Sequence, residues 1–459
     1  MNDPGTKVIK MYAAREEIYP REAKGRYATL RWACVWITQL VFYGLPWLTW
    51  NDRQAVLFDL AARKFYIFGL VLWPQDFIYL AALLIICAYL LFLVTAVAGR
   101  VWCGFACPQT VYTEIFMWIE RKIEGARSAR IRLDRQPWTF DKIWRKTAKH
   151  SAWGAVALFT GISFVGYFAP IRSMMASIVS LGLGPWEWFW IGFYALATYG
   201  NAGWLREQVC KYMCPYARFQ SAMFDKDTLI VTYDSERGEP RGVQTPEKSK
   251  GDCIDCTMCV QVCPTGIDIR NGLQYECIGC AACVDACNSV MDKIDLPRGL
   301  IRYSTDRAME QKWSPRQIGK RIMRTRVLVY SALLALIVAG VGTALTLRTP
   351  LKLDVMRDRG SMGREVNDGD IENVYRLQVM NTGERAHRFR IDVAGLPGIR
   401  IAEQEEVLLD GASTRAVPVR VQATGGELAS GSHKIKFTLT ALDQPSLAVH
   451  EDAVFIVPR

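Results

Sequence analysis

The sequence predicts an α-helical membrane protein of five transmembrane helices, interrupted by a compact cysteine-rich insert and closed by an all-β domain. Three observations predict this. Five apolar runs approach the ~20 residues a helix needs to cross a bilayer: Trp32–Trp50, Phe77–Ala98, Ser151–Ala169, Trp186–Leu205 and Val327–Leu347. Eight of the fourteen cysteines fall between Cys253 and Cys287. After residue 348 the period changes to the alternation of apolar and polar residues that marks strands.

The runs divide the 459 residues into an N-terminal arm (1–31), a four-helix region (32–215), an insert with its linkers (216–326), a fifth helix (327–347) and the β domain (348–459). No small-residue cleavage site follows the first run, so a retained anchor is expected rather than a signal peptide. Lys and Arg number 7 in 1–31, 3 in 51–76, 11 in 99–150, 1 in 170–185 and 19 in 206–326. Basic loops stay on the cytoplasmic side, which places the arm and the insert there and the β domain beyond the membrane. The tail carries 15 Lys/Arg against 16 Asp/Glu, so the net charge of +11 resides ahead of it. Such basicity suits topology and anionic lipid. No nucleic-acid motif competes with that reading, and no nucleic-acid partner is expected.

The arm is polar and basic, with Arg15, Arg21, Lys24, Arg26 and Arg31 around Pro20 and Gly25. Asn51–Asp76 sets Phe58, Leu60, Phe65, Ile67, Phe68 and Leu70 around Arg63 and Lys64, an amphipathic pattern suited to the outer interface. The second and fourth runs then end alike. One leads through Arg100 into Cys103-Gly-Phe-Ala-Cys107-Pro108, the other through Arg206 into Cys210-Lys-Tyr-Met-Cys214-Pro215. Proline after the second cysteine turns that cysteine away from helical geometry and suits the first turn of a new helix, such as an amphipathic one over Thr110–Ile123. Two turns on like-oriented helices can bring Cys103, Cys107, Cys210 and Cys214 together as one four-thiolate site with a metal or redox role, though spacing names no ion. The alternative is two reduced surface pairs with a packing or redox-switch role. Arg100, Arg206 and Lys211 beside them are expected to lower the thiol pKa values and raise metal affinity.

In the insert, Cys253, Cys256, Cys259 and Cys263 repeat the spacing of Cys277, Cys280, Cys283 and Cys287. C-x2-C-x2-C-x3-C is the bacterial two-cluster ferredoxin run, whose fourth cysteine serves the other cluster. Cys253, Cys256, Cys259 and Cys287 are therefore expected to hold one [4Fe–4S] cluster, and Cys263, Cys277, Cys280 and Cys283 the second. Gly279, Ala281 and Ala282 let the backbone curl around a cubane. Zinc usually takes separated CxxC pairs, and disulfides need an oxidising compartment. Pro264 follows the fourth cysteine of the first run but Asn288 that of the second, so the second run's turn is the weaker expectation.

Cys34 and Cys87 lie inside apolar runs and read as packing. Met174 and Met175 have a Cu(I)-ligand chemistry but no histidine beside them, and packing is expected. In the tail, Tyr375–Met380, Arg388–Val393, Arg400–Ala402, Thr414–Val421, His433–Leu439 and Ala453–Val457 read as strands, separated by signals such as Asn381-Thr382-Gly383 and Gly425-Gly426. They suggest an immunoglobulin-like sandwich. The four histidines, at 150, 387, 433 and 450, lie outside the spans, and CxxCH, Walker and dinucleotide motifs are missing. Haem, ATP and nicotinamide chemistry are thereby unsupported; what remains is single-electron transfer between other molecules.

Five spans, paired CxxxCP turns, a two-cluster insert before the last span and a cysteine-free β tail together resemble the cytochrome c oxidase accessory proteins of the FixG/CcoG type. The resemblance covers almost the whole chain. It implies a multi-pass protein of the bacterial inner membrane with cytoplasmic clusters and a periplasmic tail, acting as a cupric reductase that supplies Cu(I) for assembly of the cbb3-type oxidase. Its partners would be oxidase subunits or assembly factors, a copper transporter or chaperone, membrane lipid and an electron donor not named by the sequence. In that reading the clusters store electrons, and Cys103, Cys107, Cys210 and Cys214 form the catalytic, copper-facing group. Two rivals are a quinol-linked electron relay, which shares the CxxxCP turns, and a non-redox assembly scaffold.

Overall fold

The computed structural model describes residues 17–242, 251–357, 363–366, 369–403, 406–424 and 428–458. Arg15 and the start of the arm, Pro246 in the linker and the Gly425-Gly426 signal lie outside the described residues. The chain forms two compact units, Met1–Trp47 with Leu83–Ile337, and Leu48–Ala82 with Val338–Arg459.

All five apolar runs contain helix, with shifted bounds. The first helix is Arg26–Gly44, and Leu45–Trp47 closes it as a 3-10 turn around Pro46. Thr49–Trp50, placed in the first span by hydropathy, is instead a strand paired with Arg53–Gln54. The others are Phe77–Ala98, Phe140–Val165, Pro185–Tyr199 and Thr325–Thr346. Beyond Tyr199 the chain winds as a π-helix over Gly200–Leu205, and again over Val209–Met213. Single-turn π segments inside helices are frequent at functional sites.

Two helices, Pro74–Ala98 and Thr325–Thr346, are long and apolar enough to cross a membrane. The other three fall short of that standard among the described residues: Arg26–Gly44 is 19 residues long but too polar, with Arg26, Arg31 and Gln39, Pro185–Tyr199 is 15 residues long, and Phe140–Val165 opens with Asp141, Lys142, Arg145, Lys146 and Lys149. The Phe77–Ala98 helix exposes Phe77, Ile78, Leu80, Leu83, Leu84, Ile85 and Leu90, which spread over roughly two thirds of its circumference, and none of its apolar window is buried. A helix apolar all round and not covered by protein is solvated by lipid, so the chain is a membrane protein.

In the first unit the insert is bracketed by Ile230–Tyr233 paired antiparallel with Ile301–Ser304. This small sheet brings together segments on either side of the cysteine runs. The two cysteine runs carry the helices Met258–Gln261 and Ala282–Met291. Cys263-Pro264 stops the first after four residues, because proline cannot continue a helix. Asn288 has no such effect, so Cys287 sits inside the second helix and Asn288 Oδ1 accepts a hydrogen bond from the Gly299 amide at 3.0 Å. The second run therefore has no terminal turn.

The second unit is a sandwich of two antiparallel sheets. One runs Arg400–Ile401, Ser413–Thr424, Asp370–Asn381, Leu351–Arg357, with Arg364–Val366 also on Asp370–Asn381. The other runs Val407–Leu409, His387–Ala394, Gly431–Ala441, Ala448–Val457. Alternation explains the core: Val417, Val419, Val421 and Ala423 from one sheet and Ile435, Phe437, Leu439 and Ala441 from the other are buried at every second position. All six expected strands are present. Leu351–Arg357, Arg364–Val366 and Val407–Leu409 were not expected: the last two are three residues each, whereas Leu351, Leu353 and Val355 do alternate with polar residues. Residues 51–76 also form strands rather than an interfacial amphipathic element: Val56–Asp59, Lys64–Ile67 and Leu70–Leu72 make a three-stranded meander in this unit.

Candidate iron–sulfur site and paired cysteine turns

Each cysteine run is curled by residues in the left-handed region. Asp255 (φ 56°) and Thr257 (φ 55°) in the first run correspond in position to Gly279 (φ 66°) and Ala281 (φ 57°) in the second. For the three that carry a Cβ this costs about 1–2 kcal/mol each, and such strain persists only where the surroundings impose it. The repeat is thus one of backbone conformation as well as spacing. Of the residues expected to supply slack, Gly279 and Ala281 do so. Ala282 instead begins the following helix.

Cys253, Cys256, Cys259 and Cys287 line one small cavity together with Tyr233, Met291, Leu300 and Ile301. That is the crossed set, assembled from both runs. Burial pushes the Cys259 and Cys287 thiols up to about 11 and about 12, and the charges of Cys253, Cys256 and Cys259 add to the rise at Cys287. In the second set burial raises the Cys283 thiol, and the charges of Cys280, Cys277 and Cys263 add to the rise ahead of that of Cys259; Cys277 is pushed up to about 12 by burial. All fourteen cysteines are free of disulfides. Among the described residues no three His, Cys, Asp or Glu converge as they would on a single ion. Eight thiols in two runs of ferredoxin spacing supply the eight ligands that two cubanes require. Cys256 is exposed, whereas Cys253, Cys259 and Cys287 of the same set are buried.

Neighbours that spacing gives no hint of complete the site. Arg270 pairs with Asp268 at 2.7 Å and with Asp255 at 2.5 Å beside the first set, and its hydrogen bond holds the Asp268 carboxyl below the usual range. Around the second set, the buried Arg31 donates to the Cys280 carbonyl at 3.1 Å and Tyr303 Oη donates to the Gly279 carbonyl. The buried Asp285 accepts from the Tyr27 and Ala28 amides at 3.2 and 2.7 Å, capping the N-terminus of the first helix, where its charge is favoured.

The two CxxxCP turns come together. Cys107 and Cys214, both extended, are the N-caps of the helices Pro108–Glu124 and Pro215–Met223, with proline at the first helical position in each. The turns are tied reciprocally. Arg100, before the first, donates to the Ala217 carbonyl of the second helix; Gln109 of the first helix donates to the carbonyls of Asn201 and Arg206 at 2.9 and 3.1 Å. Cys103 Sγ donates to Gln220 Oε1 at 3.2 Å. Cys103 and Cys210 both pack on the small core of Val262, Ile278, Cys280, Ala282 and Ala286. The contact with the second cysteine run is one of backbones: a Cβ on Gly104 would lie 2.7 Å from Cys280 Cα and 2.9 Å from the Gly279 carbonyl carbon.

One expectation fails here. Burial, reinforced by neighbouring thiols, pushes Cys103 up to about 12 and Cys210 up to about 11, against the opposing pull of Arg100, and it raises Cys107 as well. Arg206 is engaged elsewhere, pairing with Glu120 at 3.1 Å and donating to the Gly203 carbonyl. Nearby basic residues do not make these thiols acidic, because desolvation exceeds their effect. The methionines fit the packing reading: Met174 is buried among Val165, Ile171 and Ile191. Cys34 is part-buried and Cys87 exposed on their helices.

Comparison with known proteins agrees with this site. Residues 205–306 match the family model of a 4Fe-4S dicluster domain, 80–125 that of a 4Fe-4S binding domain, and 341–458 that of an IG-like fold at the C-terminal of FixG. Protein RdxA of Cereibacter sphaeroides is 42% identical over 90% of this chain and 89% of its own length. Nitrogen fixation protein FixG of Rhizobium meliloti is 38% identical over 86% and 82%, and Protein RdxB of Cereibacter sphaeroides 37% over 99% of both chains. With two [4Fe–4S] clusters as its cofactors and electron transfer as its chemistry, the chain belongs to the FixG/RdxA family of iron–sulfur membrane proteins.

Proposed function

We propose that this chain is a membrane-bound iron–sulfur cupric reductase, which reduces Cu(II) to Cu(I) for assembly of a cbb3-type cytochrome c oxidase. Bound clusters supply single electrons at low potential. Cu(II) is the acceptor: it takes one electron, and the resulting Cu(I), a soft ion, passes to a transporter, chaperone or oxidase subunit. The basic-residue bias supports five crossings in the bacterial inner membrane, with the N-terminus and clusters cytoplasmic and the C-terminal domain periplasmic.

The observation that carries this reading is the backbone contact of the Gly104 turn with the Cys280 loop. It gives the second ferredoxin set a neighbour made of thiols, and the exposed Cys256 gives the first set an approach for a donor. Cys103, Cys107, Cys210 and Cys214 are the copper-facing group, at which the electron leaves.

The test is anaerobic. The purified protein is reduced, Cu(II) is added with a Cu(I)-specific chelator, and cluster bleaching and Cu(I) yield are followed together. One Cu(I) per electron lost is expected, and Cys103→Ser/Cys210→Ser slows the reaction with the insert clusters retained. Bleaching without Cu(I), with rapid re-reduction by quinol, would overturn the proposal in favour of a quinol-linked relay. Oxidase assembly that survives loss of the clusters would leave only a scaffold.

A further inference from the structure

We propose, resting on the electron-transfer reading of the insert and on nothing about copper, that the basic cleft beside the first ferredoxin set docks a small acidic one-electron carrier protein. That carrier is the reductant of this chain.

The cleft has a volume of about 550 Å³ and gathers six cations, Arg21, Lys24, Arg121, Lys122, Arg127 and Lys293, against one lining carboxylate, Glu22. They come from three stretches of the chain: the N-terminal arm, the end of the Pro108–Glu124 helix with the residues after it, and the 3-10 turn Asp292–Ile294. Retention of basic loops on the cytoplasmic side accounts for their number but not for their meeting in one place. Among the described residues only Arg121 of the six has an ion pair, with Glu114 at 3.5 Å. Arg127 donates to the Tyr19 carbonyl at 2.9 Å, and Lys122 lies over the Trp118 ring at 5.9 Å. Lys24 and Lys293 are exposed. Like charges held together without carboxylates repel one another, so the cleft gains most from a partner that brings carboxylates.

Its position selects that partner. Met258 lines both this cleft and the cavity of Cys253, Cys256, Cys259 and Cys287, so a single residue separates the cations from the first ligand set. Arg21 is fixed to that wall: its guanidinium donates to Met258 Sδ at 3.2 Å and its amide to the Gln261 carbonyl at 2.7 Å. Ala286 and Ser289 also line the cleft; three residues apart, they share a face of the Ala282–Met291 helix, and Ala286 precedes Cys287 directly. A small-molecule pocket is mostly apolar with a few convergent polar groups, and this cleft is the reverse. Encounters between electron-transfer proteins are small and transient and are steered by opposite charge. Docked there, the carrier loses one electron and this chain gains one; no bond forms or breaks, and no proton moves.

Binding is read apart from turnover. The full-length, cluster-loaded protein is placed in phosphatidylcholine nanodiscs, and its affinity for a plant-type [2Fe–2S] ferredoxin of acidic surface is measured at low and at physiological ionic strength. Affinity should fall steeply with salt. Lys24→Glu/Lys293→Glu should weaken it about tenfold at low ionic strength. Arg316→Glu/Lys320→Glu makes the same change in net charge at exposed positions of the Pro315–Ile322 helix, outside the cleft, and should leave affinity within about twofold. Carbodiimide cross-linking, which joins carboxylates to amines, should mark Lys24, Lys122 or Lys293. Absence of saturable binding, equal weakening by both variants, or cross-links confined to other lysines would overturn the proposal. So would carrier binding untouched by the cleft variant while the protein's preference for phosphatidylglycerol over phosphatidylcholine is lost, which makes the cleft a lipid-headgroup site. Carrier binding at the cleft with no Cu(I) produced would sink cupric reduction and leave the docking site standing; Cu(I) produced with dithionite as reductant, but no carrier binding, would do the opposite.

Discussion

At the scale of single residues, backbone space decides more than side-chain chemistry. Gly104 meets Cys280 and Gly279 at distances no Cβ tolerates. Gly104→Ala must push the turn off the loop, at a cost of about 1–3 kcal/mol typical of overpacking. Denaturant-induced loss of cluster absorbance measures this, with Gly154→Ala as control: nothing lies within 4 Å of the Cβ position there, and alanine is the better helix former. The first variant should be less stable than the second. Charge is decisive at Asp268, whose carboxyl is held below its ordinary pKa by Arg270. A depressed folded-state pKa contributes stability that is present above the unfolded pKa and lost as pH falls through the folded one. Arg270→Gln should therefore move acid bleaching of the first cluster to higher pH, as a titration of cluster absorbance would show. An unchanged midpoint would mean the ion pair is merely a surface feature.

At the scale of elements, the Ala282–Met291 helix joins the two cluster sites. Cys283 and Cys287 are four residues apart on it and hence share a face, about 6 Å along the axis, yet crossed ligation assigns them to different sets. Cys287→Ser should perturb the cluster of Cys253, Cys256 and Cys259, and Cys283→Ser the other. The two variants should lose different paramagnetic resonance signals; loss of the same signal in both would refute crossed ligation. The bracket of Ile230–Tyr233 on Ile301–Ser304 keeps this helix in place. Ile301 is 1% exposed, so Ile301→Ala should cost about 2–5 kcal/mol, read as a lower denaturation midpoint of the insert.

For the whole molecule, two helices pass as membrane spans on length and apolarity, and the distribution of basic residues implies five crossings. Reporter fusions at residue 360 check the count. A periplasmic signal there is expected; a cytoplasmic one would mean an even number of crossings and would remove the charge-based placement of the tail. The spans that fall short do so for physical reasons: Phe140–Val165 places its charges, such as Lys142 and Lys149, in the first half of the helix, and the run beginning at Pro185 exchanges α for π winding at Gly200.

Local patterns were legible in the sequence: cysteine spacing, which must match a cluster's corners within a few residues; alternation, which buried every second side chain of the sandwich; and proline after cysteine, which set both helix starts. Nothing local could show that turns over a hundred residues apart face each other, that Arg100 binds Ala217, or that Gly104 lies on Cys280. The same holds for thiol acidity. The sequence showed the arginines beside the cysteines, but the sign of the pKa shift depends on burial, and burial is set by which distant segments fold over a residue. Spacing along the chain determined which ligands exist. Only the tertiary structure decided which of them meet, because long-range packing depends on many weak contacts that no short stretch of sequence contains.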